Sequence, residues 1–310
     1  MNRFLNRRSF IKYFLGSTYL LSNTEYLAQI LEKQGKVKTL VILYTNDQHS
    51  RIEPFPDNDP KYPSMGGFAK RAKLIDNIRK SYNNNLLLLD AGDIFQGTPY
   101  FNYYHGKLEF QLMSQMQYDA STLGNHDFDL GLENLVQQMP YATFHFVNCN
   151  YDFSNTPLHH KILPYKIIQK NSIKIGITGV GIELEGLVLK ENYGDIIYHP
   201  PIEKLQQMEK FLKYEKHCDY IICLSHLGYQ YKDSNKISDI LLAQQLYYTD
   251  LIIGGHTHTF LDTPVSIKNK NNTETLVTQV GWAGIWLGQL VVNFSECSKK
   301  IFQFAENQKV

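Results

Sequence analysis

The sequence alternates apolar runs of strand length with amphipathic segments, and five of the apolar runs end directly in clusters of His, Asp and Asn. In chain order, the clusters are Thr45-Asn46-Asp47-Gln48-His49, Gly92-Asp93, Gly124-Asn125-His126-Asp127-Phe128-Asp129, Ser225-His226 and Gly255-His256-Thr257-His258. Regular alternation of strands and helices predicts an α/β fold. Because loops at the strand ends of such a sheet meet in one crevice, we expect these distant segments to form a single site.

The pattern predicts one domain after residue 36, without repeats or a long linker. The predicted strands are Val37 to Thr45, Leu86 to Leu89, Ala120 to Leu123, Phe144 to Cys149, Ser172 to Val180, Tyr220 to Leu224, Leu251 to Ile253, Thr275 to Val280 and Gln289 to Phe294. The predicted helices are Phe68 to Lys80, Lys107 to Gln117 and Ile202 to Glu215. We expect the last two strands to form an edge hairpin through residues 281–284.

Composition is that of an ordinary globular protein, with 310 residues, 43% apolar and 20% charged residues and a net charge of +1. This balance indicates neither a nucleic-acid nor an anionic-membrane partner. The four cysteines, Cys149, Cys218, Cys223 and Cys297, show no CxxC pairing. We therefore expect buried free thiols, although a single bridge stays open.

The residue types at the strand ends are those that bind transition metals. Asp47 and His49 are two residues apart, so in extended backbone both side chains would point to the same side and share one ion. His256 and His258 repeat this spacing. A carboxylate combined with imidazoles suits zinc, manganese, iron, cobalt or nickel better than calcium or magnesium, which prefer oxygen ligands.

Asp93 and Asn125 extend the pattern to two ions. The carboxylate of Asp93 has two oxygens and could bridge ions about 3.5 to 4 Å apart, as in two-metal hydrolases, and Asn125 would add an amide oxygen. Taken singly, an Asp after a strand more often caps a helix, and a lone His more often lies at the surface. The histidines that do not follow strands receive no ligand role: His105, His145, His159, His160, His199 and His217.

Together the motifs resemble the calcineurin-like metallophosphatases, in particular their bacterial periplasmic 5′-nucleotidase branch. The resemblance covers residues 38 to about 294 and includes residues 92–99, 66–69 and 281–288 besides the strand-end clusters. It implies a metallo-dependent phosphatase fold, a four-layer α-β-β-α sandwich in which two mixed β-sheets face each other and helices flank them. It also implies that Asp47, His49, Asp93 and His258 hold one metal, and that Asp93, Asn125, His226 and His256 hold the other.

The expected reaction is attack on phosphorus by a hydroxide between the two ions, without a covalent phosphoenzyme. Because His126 follows Asn125, we expect it to stabilise the transition state and assist the leaving oxygen. The resemblance suggests that Asp129 orients its ring. Asp127 is expected to be a structural residue at a helix start.

The substrate is less constrained than the chemistry. Two-domain nucleotidases carry a second domain that grips the nucleotide, and this chain ends at Val310, so either a separate chain supplies that part or the substrate is simpler. The first expectation is a phosphomonoesterase acting on nucleotides. The alternatives are a cyclic-nucleotide phosphodiesterase, a nucleotide-sugar pyrophosphatase, a dimanganese sulfur-compound hydrolase and a non-enzymatic metal- or partner-binding module. The aromatic cluster Tyr100, Phe101, Tyr103 and Tyr104 is either packing or the rim of the entrance.

The N-terminus resembles a twin-arginine export signal. Arg7 and Arg8 precede Phe10 and Lys12, and a modest apolar stretch follows from Tyr13 to Leu21, too short for a stable membrane span. The alternative is a basic amphipathic surface helix. We therefore expect residues 1–36 to be an export signal and linker, residues 37–310 to be the catalytic domain, and the protein to be periplasmic.

Overall fold

A computed structural model describes residues 37–82, 85–233 and 235–310 of the chain. The predicted export signal lies outside the described residues. Within them, the structure has no helix with the length and apolar character needed to span a bilayer.

The elements follow the predicted alternation. The strands are β1 Val37–Thr45, β2 Leu86–Asp90, β3 Ala120–Ser121, β4 His145–Val147, β5 Tyr151–Asp152, β6 Ile162–Leu163, β7 Tyr165–Lys170, β8 Ile173–Gly181, β9 Ile197–Tyr198, β10 Tyr220–His226, β11 Leu251–Gly254, β12 Val265–Lys268, β13 Glu274–Thr278, β14 Trp286–Ser295, β15 Lys300–Ala305 and β16 Gln308–Lys309. The α-helices are α1 Phe68–Ser81, α2 Pro99–Tyr104, α3 Lys107–Gln115, α4 Gly131–Gln138, α5 Lys190–Tyr193, α6 Pro201–Lys210 and α7 Asp239–Gln245. A π-helical turn, Phe211–Glu215, extends α6.

Two mixed sheets organise these strands. The eight-stranded sheet has the order β15-β14-β1-β2-β3-β4-β6, with β16 also paired to β14. The six-stranded sheet has the order β12-β13-β11-β10-β8-β7, and β5 pairs with β9 in a small separate sheet. In both large sheets the central strands are parallel, so their carboxyl ends lie at one edge.

The alternation within β1 explains the layering. Leu40, Ile42 and Tyr44 pack between the two sheets with residues of β8, β10 and β11. Val41 and Leu43 point to the opposite face, where α1 and α3 cover the sheet. The outer face of the second sheet is covered in the same way by α6 and α7. The expected four-layer α-β-β-α fold is therefore confirmed, and each fully buried aliphatic side chain stabilises it by about 1.5–3 kcal/mol.

The predicted C-terminal hairpin is wrong. The strand at Glu274–Thr278 pairs with β11 and β12 in the second sheet, whereas the strand at Trp286–Ser295 pairs with β1 in the first. The residues between them cross from one sheet to the other. The apolar runs and the intervening glycines fit a hairpin as well as they fit this crossing between sheets. The local pattern does not encode pairing partners that are distant in sequence.

All four cysteines are free thiols. Cys218 and Cys223 are buried as expected, whereas Cys149 is half-buried and Cys297 is exposed. No disulfide therefore constrains this fold.

Candidate metal centre

The five polar clusters meet at the edge where both sheets present the carboxyl ends of their parallel strands. Asp47 and His49 follow β1, Asp93 follows β2, Asn125 follows β3, His226 ends β10, and His256 and His258 follow β11. The loops are bonded directly to one another, since the Asp47 amide donates to the Gly92 carbonyl at 2.9 Å and the His256 amide donates to Asp47 Oδ1 at 2.9 Å. The convergence predicted from the strand ends is confirmed.

The backbone at the site is not extended, contrary to the argument from residue spacing. Asp47, His49, Asp93, His256 and His258 all have φ between 48° and 73°. This left-handed region is sparsely populated by residues other than glycine and disfavoured by about 1–3 kcal/mol per residue. Such conformations persist only where the surrounding structure enforces them, which is common at functional sites.

One group of potential ligands contains Asp47, His49 and His258. Their ligand atoms all lie within 4.8 Å of one another. His49 Nε2 is 2.9 Å from His258 Nε2, and the latter atom is 3.4 Å from Asp47 Oδ1. The His258 ring stacks on Trp282, with the ring planes 7° apart.

A second group contains Asp93, His226 and His256, again with ligand atoms within 4.8 Å of one another. His226 Nε2 is 3.0 Å from Asp93 Oδ2, and Asn125 Oδ1 borders the group at 2.8 Å from His256 Nδ1. His256 and His258 are only two residues apart but belong to different groups, the division that the family resemblance implies.

Asp93 stands between the two groups. Its Oδ2 atom is 3.0 Å from His226 Nε2 and 3.9 Å from His49 Nε2. A neighbouring glycine allows this approach, because a Cβ atom at Gly124 would clash with Asp93 Oδ1. Asp93 is therefore close enough to both groups for the bridging role that the family resemblance implies. Asp47 is also near both groups, since its Oδ1 atom is 3.9 Å from His226 Nε2.

The tautomers of His226 and His49 are compatible with cations bound between the side chains of the two ligand groups. His226 Nδ1 donates to the Ala91 carbonyl at 2.7 Å, so the lone pair of the neutral ring lies on Nε2. That atom is buried, faces Asp93 and forms no aligned hydrogen bond within the described residues. A lone pair facing a carboxylate is repulsive unless a positive charge lies between them. His49 is held in the same way, because its Nδ1 donates to the Phe95 carbonyl at 3.2 Å.

The histidine pKa values indicate an excess of negative charge around His226. Burial acts to lower the pKa of His226, but the carboxylates of Asp93 and Asp47 outweigh it and raise that pKa to about 10. Burial lowers the pKa of His256 to about 4 and also lowers that of His49. The group around His226 therefore attracts one positive charge, while its neighbours favour the neutral imidazole that metals bind.

His126 and Asp129 lie beside both groups without belonging to either. His126 Nδ1 is 2.9 Å from Asp129 Oδ2, and the His126 amide donates to Asp93 Oδ1 at 2.8 Å. The hydrogen bond to Asp129 raises the pKa of His126. The side chain is 38% exposed, so His126 is at the rim of the centre with its Nδ1 position fixed.

Asp127 has a structural position, in agreement with the sequence argument. Its Oδ1 atom accepts from the amides of Ile94 and Phe95, and its Oδ2 atom accepts from those of Asp93 and Gly124, all at 2.8 to 3.1 Å. One buried carboxylate thus organises the loops after β2 and β3.

The sequence argument did not identify the buried polar residues behind the loops. Gln48 donates to Asp90 Oδ2 at 2.7 Å and accepts from Arg71, whose side chain is fully buried. Thr45 donates to the same Asp90 oxygen at 2.6 Å. The sequence contains only a weak signal for these residues. It consists of a glutamine between two predicted ligands and an aspartate at the end of an apolar run.

With this geometry established, comparison with known proteins decides the family. The family model described as calcineurin-like phosphoesterase matches residues 40–260. The chain belongs to this family.

The chain is also similar to several 5′-nucleotidases. The chain is 34% identical to a snake venom 5′-nucleotidase of Naja atra over 84% of this chain and 51% of the relative, and 32% identical to a 5′-nucleotidase of Homo sapiens over 83% and 47%. Among solved structures, a 5′-nucleotidase precursor from Thermus thermophilus matches with a TM-score of 0.79 and 32% identity, over 88% of this chain and 54% of that one. The chain thus spans about half the length of these relatives.

Proposed function

We propose that this calcineurin-like phosphoesterase hydrolyses phosphate monoesters at a dimetal centre, with 5′-nucleotides as its principal substrates. The observation that carries the proposal is the pair of adjacent ligand groups on either side of Asp93, with His126 at their rim. The 5′-nucleotidases among its relatives support the choice of nucleotides.

In this proposal, Asp47, His49, Asp93 and His258 hold one divalent ion, and Asp93, Asn125, His226 and His256 hold the other. When bound, such ions supply Lewis acidity and a nucleophile at neutral pH. Imidazoles combined with carboxylates favour zinc, manganese, iron or cobalt. The fixed Nδ1–H groups of His226 and His49 leave Nε2 of each ring free to coordinate.

His126 and Asp129 are the proposed catalytic pair. Because Asp129 binds His126 Nδ1, the opposite ring nitrogen, Nε2, is available to a substrate oxygen. A protonated His126 would donate this hydrogen to the oxygen that leaves phosphorus, and Asp129 would hold the ring in place and stabilise its charge. Both groups are in position before substrate binds, which reduces the reorganisation needed in the reaction.

Phosphate release tests the proposal. The purified protein is stripped with a chelator, reloaded separately with Mn²⁺, Zn²⁺ or Co²⁺, and incubated with AMP, p-nitrophenyl phosphate, a cyclic nucleotide and a nucleotide sugar. We expect phosphate from AMP and p-nitrophenyl phosphate only when metal is present. Hydrolysis of the cyclic nucleotide gives a nucleoside monophosphate, and hydrolysis of the nucleotide sugar gives a nucleotide and a sugar phosphate, so their products are separated by chromatography. Preferential formation of these products would replace the monoesterase assignment. Two bound metals with no turnover of any phosphoester would favour a binding module and refute the enzyme proposal.

We also propose that affinity for 5′-nucleotides depends on residues outside the region matched by the relatives, which is about half of their length, and that a separate chain can supply such residues. The test compares the KM for AMP with that for p-nitrophenyl phosphate, which has no nucleoside. Similar values for the purified chain, and a lower KM for AMP alone when periplasmic extract is added, would support a second chain. A low KM for AMP without any addition would contradict it.

The proposed location is the periplasm, through a twin-arginine signal at residues 1–36 followed by a catalytic domain at 37–310. We expect that changing Arg7 and Arg8 together to lysine retains the protein in the cytosol of a host with this export route. Periplasmic protein with both lysines present would exclude the signal.

A further inference from the structure

His258 is held differently from the buried histidines of the centre. His49 Nδ1 donates to the Phe95 carbonyl, and His226 Nδ1 donates to the Ala91 carbonyl. Among the residues that the structure describes, none forms a hydrogen bond with Nδ1 of His258, and the side chain is 39% exposed. The contact that orients this ring must therefore be of another kind.

Trp282 supplies a planar contact to the His258 ring. The two ring planes are 7° apart and their centroids are 5.6 Å apart, within the range of offset stacked rings. Phe55 and Tyr62 in turn contact the indole at steep angles, with centroids 5.8 and 6.4 Å from that of Trp282. The indole is therefore itself restrained, and it limits rotation of the imidazole that it contacts.

The loop that carries Trp282 is bonded to the segments on both sides of the ligand group. This loop crosses from β13 in the second sheet to β14 in the first. The Ala283 amide donates to the Asp47 carbonyl at 2.7 Å, and the Gly281 amide donates to the Thr259 carbonyl at 2.9 Å. The crossing between the sheets therefore places the indole in a fixed position relative to both segments that supply ligands.

We propose that Trp282 is a positioning residue that holds His258 in the orientation that binds a divalent ion, an inference that rests on the dimetal centre of the proposed function. A ligand that is fixed in advance loses less entropy on binding. Residues that orient metal ligands, usually by hydrogen bonds, contribute about 10- to 100-fold to metal affinity. At His258 the face of an indole performs this role in place of a hydrogen bond.

Substitutions of Trp282 test the proposal through metal affinity. Protein stripped with a chelator is titrated with Zn²⁺ or Mn²⁺, and the bound metal is measured by elemental analysis. We expect Trp282→Leu to weaken binding of one ion about tenfold, the lower end of the range for residues that orient ligands, and to leave the other ion unaffected. Trp282→Met fills more of the space but has no planar ring, so it should behave like Trp282→Leu. Trp282→Phe keeps a planar ring and should retain most of the affinity.

Trp286→Leu is the matched control, because the ring of Trp286 packs against Phe260 rather than against a predicted ligand. This variant should bind both ions normally. Denaturant unfolding of the metal-free variants shows whether each of them is folded before metal is added.

A double-mutant cycle distinguishes positioning of His258 from a general effect on structure. If Trp282 acts through His258, loss of the indole should have no further effect once that imidazole has been replaced. We therefore expect the double variant His258→Gln with Trp282→Leu to bind metal within about twofold of His258→Gln alone. A further loss of about tenfold in the double variant would indicate a role independent of His258 and would overturn the proposal.

Two other results would also overturn it. The first is unchanged affinity for both ions in Trp282→Leu and Trp282→Met. The second is a raised KM for p-nitrophenyl phosphate in these variants with normal metal affinity, which would mean that the indole contacts substrate instead. Failure of the proposed function gives a different result, namely wild-type protein with two bound metals and no turnover of any phosphoester. Weaker metal binding by Trp282→Leu would still support the positioning role in that case.

Discussion

The two ligand groups have similar chemistry, and each contains two buried residues and one half-buried histidine, but the protein holds His226 more firmly than His258. In the inner group, His226 is fully buried and anchored to the Ala91 carbonyl, and Asp93 is fixed by Asp127. In the outer group, the His258 side chain is 39% exposed and rests against Trp282. Preorganised ligands lose less entropy on binding, so we expect the inner group to bind its metal more tightly.

The strongest test of this comparison changes the residue that both groups share. Asp93→Asn removes the negative charge between them while keeping the shape of the side chain. We expect kcat/KM for p-nitrophenyl phosphate to fall by on the order of 10³-fold, the upper range for loss of one electrostatic group. Elemental analysis should show that both metals bind more weakly. Two full equivalents of metal with near-normal turnover would show that the groups do not depend on a shared carboxylate.

His126→Ala tests whether the exposed side of the centre performs chemistry. We expect kcat for AMP to fall roughly 10²-fold, typical of a lost acid or donor, because the substitution removes the proposed proton donor to the leaving oxygen. Metal content should not change, since His126 belongs to neither group. His145→Ala removes an exposed histidine elsewhere and serves as the control. Unchanged kcat in His126→Ala would rule out the catalytic role.

A matched pair of substitutions compares the groups directly. His226→Gln should weaken binding of one metal by about 100-fold and His258→Gln by about 10-fold, the two ends of the usual range for disturbed metal sites. The difference arises because water can replace an exposed imidazole but cannot reach the buried one. Metal titration followed by elemental analysis measures both constants. Equal losses would mean that burial does not distinguish the groups.

The smallest expected effect concerns a buried acid behind the inner group. Asp239 accepts from the Ser225 hydroxyl, and burial raises the pKa of its carboxyl from 3.8 to about 8. The folded state therefore holds this proton more tightly than the unfolded state. The resulting stability is present below about pH 4 and is lost as pH rises towards 8, with a slope of at most about 1.4 kcal/mol per pH unit.

Asp239→Asn should reduce this dependence on pH. Denaturant unfolding of metal-free protein at pH 5 and pH 8 measures it, with Glu185→Gln as a control at an exposed carboxylate. If the variant and the wild type lose the same stability between these pH values, Asp239 is not the titrating group.

The sequence was most informative where periodicity and strand ends determine the answer. The apolar run from Val37 to Thr45 predicted the strand β1, and the polar clusters predicted one site. The sequence was least informative where contacts between distant segments determine strand pairing or backbone conformation. The pairing of β14 with β1 rather than β13 depends on the whole fold, and the left-handed backbone at His256 and His258 depends on contacts with other loops. Arg71, which supports Gln48 from a helix, left no distinct local signal.

The four amide contacts of Asp127 have a consequence for metal loading. Because a single carboxylate ties the loop after β2 to the loop after β3, Asp93 and Asn125 cannot shift independently. If Asp93 and Asn125 hold the ions as proposed, the polypeptide would set the spacing between the two ion positions before either ion arrives. Entry of the first ion need not remodel the place of the second, so the apo and loaded forms should superpose closely in these loops.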